Sequence, residues 1–332
     1  MSREALHSAR RMAAERRWAE LADLACELTD ADTGTHPELA YLAADGMRRT
    51  GDITGALPLA RSAAAVAERQ GDMRLRLRTT NLLGMLAYES GDLPAAEDHF
   101  ERLLELAAEA RDDEFAARAS NNLGVLASVR GERELALTAY QRAVAAYQRL
   151  QYGRGLAQTH YNLGIVYRDL DFPDEAEGHF SLALGFAEET ESTDITALAE
   201  AERALLCVAS GDGHLAEKLA ERSLEKMRRL GDPLGAANAV RALAAAANAR
   251  GEGDLALHRL AEALATVEKH PDLLLRAEIQ RDRGRLLADR QDTAGARLAL
   301  HDSIESFTRL GAAREAASTA ALVDRLAPDS AS

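Results

Sequence analysis

The side chains best able to do covalent or metal chemistry are scattered through this 332-residue chain. None of its nine histidines lies in an H-E-x-x-H pattern or beside a cysteine at zinc spacing. His99 and His179 share a repeat position but stand eighty residues apart, so an intervening repeat separates them. Cys26 and Cys207 form no C-x-x-C pair and are expected to be buried small apolar residues in a reducing compartment. No G-x-S-x-G, Walker A or G-x-G-x-x-G context occurs. Gly211-Asp212-Gly213 and Gly251-Glu252-Gly253 recur at the repeat period and read as turns, not phosphate loops. Fifty-four Asp+Glu make carboxylate pairs too numerous for any one to signal general acid and base work. The chain is therefore read as no enzyme, with no cofactor and no metal. Amide and guanidinium chemistry remains: asparagine both donates and accepts hydrogen bonds, and arginine engages carboxylates with two parallel donors.

A repeat decides where such groups stand. Residues 121–136 read NNLGVLASVRGERELA, with NLLGMLAYESGDLPAA forty residues earlier and YNLGIVYRDLDFPDEA forty later. Ala56, Ala96, Ala136, Ala176, Ala216, Ala256 and Ala296 fall on one forty-residue comb. Five residues before each is a turn, such as Gly91-Asp92. Four after each comes Ala60, Phe100, Tyr140, Phe180, Ala220, Leu260 or Leu300, and twelve before stands a small residue: Ala44, Gly84, Gly124, Gly164, Ala204, Ala244 or Gly284.

Each copy reads as two helices. Leu93, Ala96, Phe100, Leu103 and Ala107 follow three- and four-residue steps, an amphipathic stripe, and no alternating β-branched run competes. Asp92 ahead of Pro94 resembles an N-cap with a first-turn proline, and Asp171-Phe172-Pro173 is expected to repeat that device. The first helix is expected over about 78–90, stopped by a left-handed Gly91, and both helices should be about 20 Å long. Pro58 lies six residues past Asp52, so the helix there is expected to start late or to bend. Glycine inside a helix costs about 1 kcal/mol relative to alanine. The slot glycines thus need a reason, which the close approach of a neighbouring helix supplies, and Ala44, Ala204 and Ala244 suggest that one methyl is tolerated.

Forty Lys+Arg against fifty-four Asp+Glu give a net charge of -14, which argues against duplex nucleic acid and against an anionic membrane surface. Lysine occurs only at Lys218, Lys226 and Lys269, a bias that a GC-rich genome produces, so arginine abundance is no evidence for RNA binding. The charged N-terminal segment lacks a secretory apolar core, and no apolar run is long enough to span a bilayer, so a cytoplasmic location is expected. From Asp169 to Glu202 stand eleven acids and no lysine or arginine, either a docking surface for a basic partner or a solvated outer face.

Asn162-Leu163-Gly164 with Tyr167, then Ala176 and Phe180, resembles the tetratricopeptide repeat, whose pattern is Leu-Gly, an aromatic, a turn glycine, then Ala and Phe. The resemblance spans residues 2–326. The forty-residue period is similar to the long-repeat branch that includes the G-protein regulators of spindle orientation, kinesin light chains and bacterial peptide-sensing regulators. Arg203-Ala204, Leu243-Ala244 and Arg283-Gly284 depart from Asn-Leu-Gly, and those repeats are expected to be weaker in the family's peptide contact.

The resemblance implies an all-α fold, a right-handed α-solenoid superhelix of about eight helix-turn-helix repeats plus a C-terminal capping helix. It is expected to form one domain over 1–327: an N-terminal cap repeat at 1–36, seven regular repeats at 37–311 and a capping helix at 312–327, with 328–332 disordered. The implied function is a non-enzymatic scaffold or adaptor binding a peptide or protein segment in a concave groove lined by the first helices. The alternative is a peptide-sensing regulator whose superhelix changes conformation to control a partner such as a transcription factor. Such regulators usually carry an N-terminal helix-turn-helix reader, whereas here the repeats begin almost at Ser2, so direct nucleic-acid binding is not expected. A domain of a larger regulator is a third reading, against which the start at Met1 weighs.

Carried over residue by residue, the groove positions are Arg78, Asn81, Tyr88 and Glu89; Arg118, Asn121, Asn122 and Ser128; and Gln158, Tyr161, Asn162, Arg168 and Asp169. Asn238, Arg241 and Asn248 follow, then Arg281, Asp282, Arg285 and Asp289, while Ala201, Leu205 and Val208 would leave the middle apolar apart from Glu202. Asn122 and Asn162 are the foremost candidates, because an amide can hold a peptide backbone whatever its side chains; the alternative is that they tie adjacent repeats together. The arginines imply an acidic peptide or a C-terminal carboxylate, unless Glu89, Asp169, Asp282 and Asp289 neutralise them.

Overall fold

Polar turns of two or three residues cut most of the chain into helices of nearly equal length. The computed structural model describes residues 3–28 and 34–326, so the expectation for 328–332 lies outside the described residues. Helices α1 (Arg3–Ala14) and α2 (Trp18–Leu24), with a 3₁₀ turn at Ala25–Glu27, precede seven helix pairs. These are α3 (Pro37–Arg49) with α4 (Ile53–Gln70), α5 (Met73–Glu89) with α6 (Leu93–Ala110), and α7 (Asp113–Val129) with α8 (Arg133–Leu150). Next come α9 (Gly153–Asp169) with α10 (Pro173–Glu189) and α11 (Thr193–Ala209) with α12 (Gly213–Leu230). Last are α13 (Pro233–Ala249) with α14 (Gly253–Lys269) and α15 (Leu273–Asp289) with α16 (Thr293–Arg309); α17 (Ala313–Asp324) follows alone. No strand occurs among the described residues, and the fold is all-α, as the period requires.

Aspartates start many of these helices. Asp52, Asp72, Asp92, Asp212, Asp232, Asp272 and Asp292 each accept a hydrogen bond from the amide three residues on, satisfying one of the donors left open at a helix start. Asp72 therefore begins α5 at Met73 rather than near Arg78, and with 17 or 18 residues the paired helices from α4 onward are about 26 Å long, not 20. A second set of turns, between repeats, allows this. Arg111, Gln151 and Glu191 take left-handed φ of 54°, 51° and 50° there without being glycine, which hid them from the sequence.

Two further expectations are corrected. α4 begins at Ile53, directly after its cap, so Pro58 does not delay it. Pro173 does stand first in α10, but the preceding Phe172 makes no side-chain cap, so the Asp92 device is not repeated. Asp171 instead takes φ 64° in the turn, the left-handed role that glycine fills elsewhere.

The small slot and the residue sixteen positions later pack face to face. A Cβ on Gly84 would lie 2.5 Å from Phe100 Cε1, and one on Gly124 2.6 Å from Tyr140 Cε1, both closer than carbon atoms approach. Alanine occupies the slot where the facing residue is Ala60, Ala220 or Leu260. Tolerance for a methyl thus depends on the partner and does not extend to every repeat.

The chain falls into two compact units, one up to Leu123 and one from Gly124. In the first, Leu21, Leu39 and Leu42 form the cap's core, Ala56, Ala60, Leu82 and Leu86 the next, and Leu77, Leu103 and Leu106 a third. In the second, Tyr140, Phe180, Ala220 and Leu260 each anchor one cluster of the same design. Within this unit α9, α11, α13 and α15 touch one another in succession, which makes the first helices its inner layer.

Candidate functional site

The expected positions of the first unit come together as a short polar row on α3, α5 and α7. Asn122 Nδ2 donates to Asn81 Oδ1 at 3.2 Å, one repeat away, and Asn81 Nδ2 approaches Met85 Sδ at 3.4 Å. Arg78 lies 4.3 Å from the centre of the Tyr41 ring and donates to Glu38 at 2.9 Å. Burial pushes the Glu38 carboxyl up, yet hydrogen bonds from Arg10 and Arg78 hold it below the usual carboxylate range. Arg118 pairs with Glu114 of its own helix at 2.5 Å and lies against Phe115. Asn121 is buried, Tyr88 is half-buried, and Glu89 accepts from Arg48 at 2.6 Å. The Asn81–Asn122 bond ties two repeats together while engaging only one of the four hydrogen-bond positions of the Asn122 amide.

In the second unit the inner face is an ion-pair ladder. Arg168 is held by Asp169 at 2.8 Å and by the buried Glu202. Arg241, only 5% exposed, lies between Glu278 at 3.2 Å and Asp282 at 2.9 Å, with Asn238 accepting from its Nε at 3.2 Å. Burial would lower the Arg241 pKa, but the two carboxylates outweigh it and raise it above its ordinary value. Arg281 donates to Glu315 at 2.7 Å, and Arg285 reaches Asp282 at 3.9 Å. Gln158 donates to Asn162 at 3.3 Å; Tyr161 is buried with its ring tilted against Phe180. Ser128, Leu205 and Val208 are half-buried, Ala201 is buried, and Asn248 and Asp289 face solvent.

Each candidate arginine therefore has a carboxylate: Arg168, Arg241 and Arg285 meet an expected one, Asp169 or Asp282, whereas Arg78, Arg118 and Arg281 do not. Glu38, Glu114, Glu278 and Glu315 were missed. One of these pairings had a usable signal, because Arg78 and Glu38 stand 40 residues apart, one repeat period, as Arg241 and the expected Asp282 nearly do at 41. Glu315 and its second arginine, Arg133, are 182 residues apart and gave none.

The acidic run does not form one face. Glu200, 2% exposed, is clamped by Arg222 at 2.5 Å and by Lys226. Glu202, Asp194 and Glu177 are answered by Arg168, Arg154 and Arg203, while Asp171, Asp174, Glu175, Glu188, Glu189 and Glu191 are exposed. Cys26 is exposed, because it lies in the 3₁₀ turn where the cap's second helix ends, and Cys207 is half-buried; neither is the fully buried thiol expected. Among the described residues no group of three or more His, Cys, Asp and Glu could hold a metal ion, and no helix is long and apolar enough to cross a membrane.

Sequence spacing missed a histidine pair. His160 of α9 and His179 of α10 meet Nδ1 to Nδ1 at 3.0 Å, with Phe186 5.8 Å from the first ring and Tyr167 5.1 Å from the second. Two neutral imidazoles can form that bond, one donating and one accepting; a further proton sets two donors face to face. Burial, reinforced by His179, pushes His160 down to about 4. The unfolded histidine titrates near 6.5, so the folded state binds fewer protons between the two values. The resulting stability is complete above pH 6.5 and is lost as pH falls toward 4, by up to about 3 kcal/mol. Urea unfolding at pH 7.5 and 4.5 should show this loss, and His160→Gln should reduce the difference, with the buried His179, also lowered, contributing to what remains. Equal losses in both proteins would place the pH dependence elsewhere.

A family model for the tetratricopeptide repeat matches residues 74–149 and 115–189. No curated protein sequence matches the chain. Among solved structures, the chain is similar to a Rap protein complexed with competence and sporulation factor, at 16% identity and a TM-score of 0.64, covering 97% of this chain and 96% of that one. It is similar to the Rap conjugation gene regulator of plasmid pLS20 in complex with the Phr* peptide, at 12% identity and a TM-score of 0.57, covering 93% and 98%. A third is a signal transduction ATPase with numerous domains and a tetratricopeptide repeat sensor, from Pyrococcus horikoshii, at 14% identity and a TM-score of 0.54. It covers 86% of this chain, which spans 42% of that protein. At these identities the likeness concerns the fold.

Proposed function

We propose, on the premise that the chain is a tetratricopeptide-repeat protein, that it is an interaction scaffold whose first unit binds an extended segment of another protein. The observation that carries this reading is the Asn81–Asn122 pair, two amides on successive first helices with hydrogen-bonding capacity beyond the bond they share. Arg78 on Tyr41 and Arg118 on Phe115 flank them. The nearby arginines already have carboxylates, so the ligand's backbone rather than its charge supplies the recognition. Two similar Rap proteins, solved with a factor and with a peptide, support a peptide as the class of ligand.

The test is to select peptides from a random library displayed on phage against the full chain, then to measure their affinity for Asn122→Ala and Asn81→Ala. Loss of one neutral hydrogen bond to a ligand corresponds to about 0.5–1.5 kcal/mol, or roughly two- to tenfold weaker binding. The expected result is that weakening at an unchanged melting temperature. Lower stability with unchanged affinity would make the amide row an internal tie and sink the proposal.

A further inference from the structure

The second unit holds a carboxylate site that its own chain fills. Arg133, in the first turn of α8, has a side chain only 10% exposed. Its Nη2 reaches Glu315 at 3.3 Å and Asp169 at 3.8 Å, while its Nε and Nη1 have no hydrogen-bond partner. Arg281 donates to the other oxygen of the same Glu315 carboxylate at 2.7 Å, and its Nε is likewise unpartnered. One carboxylate thus bridges two buried guanidinium groups that keep three unanswered nitrogens between them. Arg241, by contrast, has two carboxylates and an amide oxygen. Buried donors without acceptors are unfavourable, and a denser set of carboxylate oxygens would satisfy them better than one glutamate does.

The helix that brings Glu315 is short, at 12 residues. Thr319 is the buried residue of α17. Where α17 meets the α7–α8 turn, Arg314 Nη1 reaches the Gly131 carbonyl at 3.5 Å, the outer limit of a hydrogen bond. Gly131, at φ 78°, permits this approach, since a Cβ there would lie 2.9 Å from Arg314 Cβ.

We infer that Arg133 and Arg281 form a recognition site for a carboxylate-rich segment of a partner chain, and that Glu315 is a built-in occupant which such a segment displaces. This site lies in the second unit and shares no residue with the asparagine row, so either proposal can fail alone. Competition by Glu315 weakens the outside ligand in inverse proportion to the fraction of time the site is open.

The probe is a fluorescently labelled hexaglutamate peptide, its binding to the full chain followed by anisotropy. Glu315→Gln is expected to bind about tenfold tighter than the wild-type chain. Arg133→Gln or Arg281→Gln in that background should abolish the gain, whereas Arg229→Gln, at a side chain 75% exposed, should not. Hydrogen exchange in α17 of the wild-type chain should quicken when the peptide is added. Unchanged affinity in Glu315→Gln, or an equal loss from Arg229→Gln, would overturn the proposal. So would inorganic phosphate displacing the peptide at a similar concentration, which would mark a general anion site.

Discussion

Arg241→Ala is expected to lower the stability of the second unit by about 3–5 kcal/mol, because removing one partner of a buried ion pair leaves the other charge uncompensated. Here the guanidinium separates two carboxylates, Glu278 and Asp282, that come from the next first helix, α15. Without it they face each other with only the half-exposed Arg285, 3.9 Å from Asp282, as counter-charge, and Asn238 loses the donor its oxygen accepts from. Arg241→Lys should recover only part of the loss, since one ammonium on a flexible stem cannot reproduce a planar fork that meets two acids and an amide at once. Urea unfolding followed by circular dichroism reads the effect, with hydrogen exchange in α13 and α15 locating it, because a repeat array need not unfold in one step. A loss below about 1 kcal/mol would show that the pair behaves as a solvated surface bridge.

The helix pairs were legible in the sequence because their cause is periodic: one buried stripe, one turn and one small slot, repeated every forty residues. What escaped was information that is not a pattern within one repeat. Helix lengths were underestimated because Arg111, Gln151 and Glu191 make left-handed turns without glycine. Phe172 failed as a cap because the turn moved the polar residue, Asp171, one place early. Site positions followed from the family resemblance, but their electrostatic state depended on partners one repeat away, as with Arg78 and Glu38, or at the far end of the second unit, as with Arg133 and Glu315. The same forty-residue comparison that found the apolar comb would have found the first kind of partner. Nothing in the chain order marks the second, because it depends on how far the second unit curls. The arginines consequently changed role, from open anion contacts to groups already paired within the chain, and the amides remained the better candidates for holding a ligand's backbone.

The slot offers the second large effect, as a double-mutant cycle. Gly124→Leu should destabilise by at least ~1–3 kcal/mol through overpacking, because even its Cβ would meet the Tyr140 ring at 2.6 Å. Tyr140 is 2% exposed and anchors the cluster of Ala136, Leu163 and Val166, so Tyr140→Ala alone should cost about 3–5 kcal/mol through the cavity it leaves. The two changes compete for one volume, so the double variant should be less destabilised than the two losses added together, with a coupling of about 1–3 kcal/mol. The natural repeats already show both solutions: glycine faces Phe100, Tyr140, Phe180 and Leu300, and alanine faces Ala60 and Ala220. Ala244 opposite Leu260 shows that a branched aliphatic chain can yield where a flat ring does not. Strict additivity in the cycle would mean that the slot glycine serves the backbone of α7 and not the packing of Tyr140 against it.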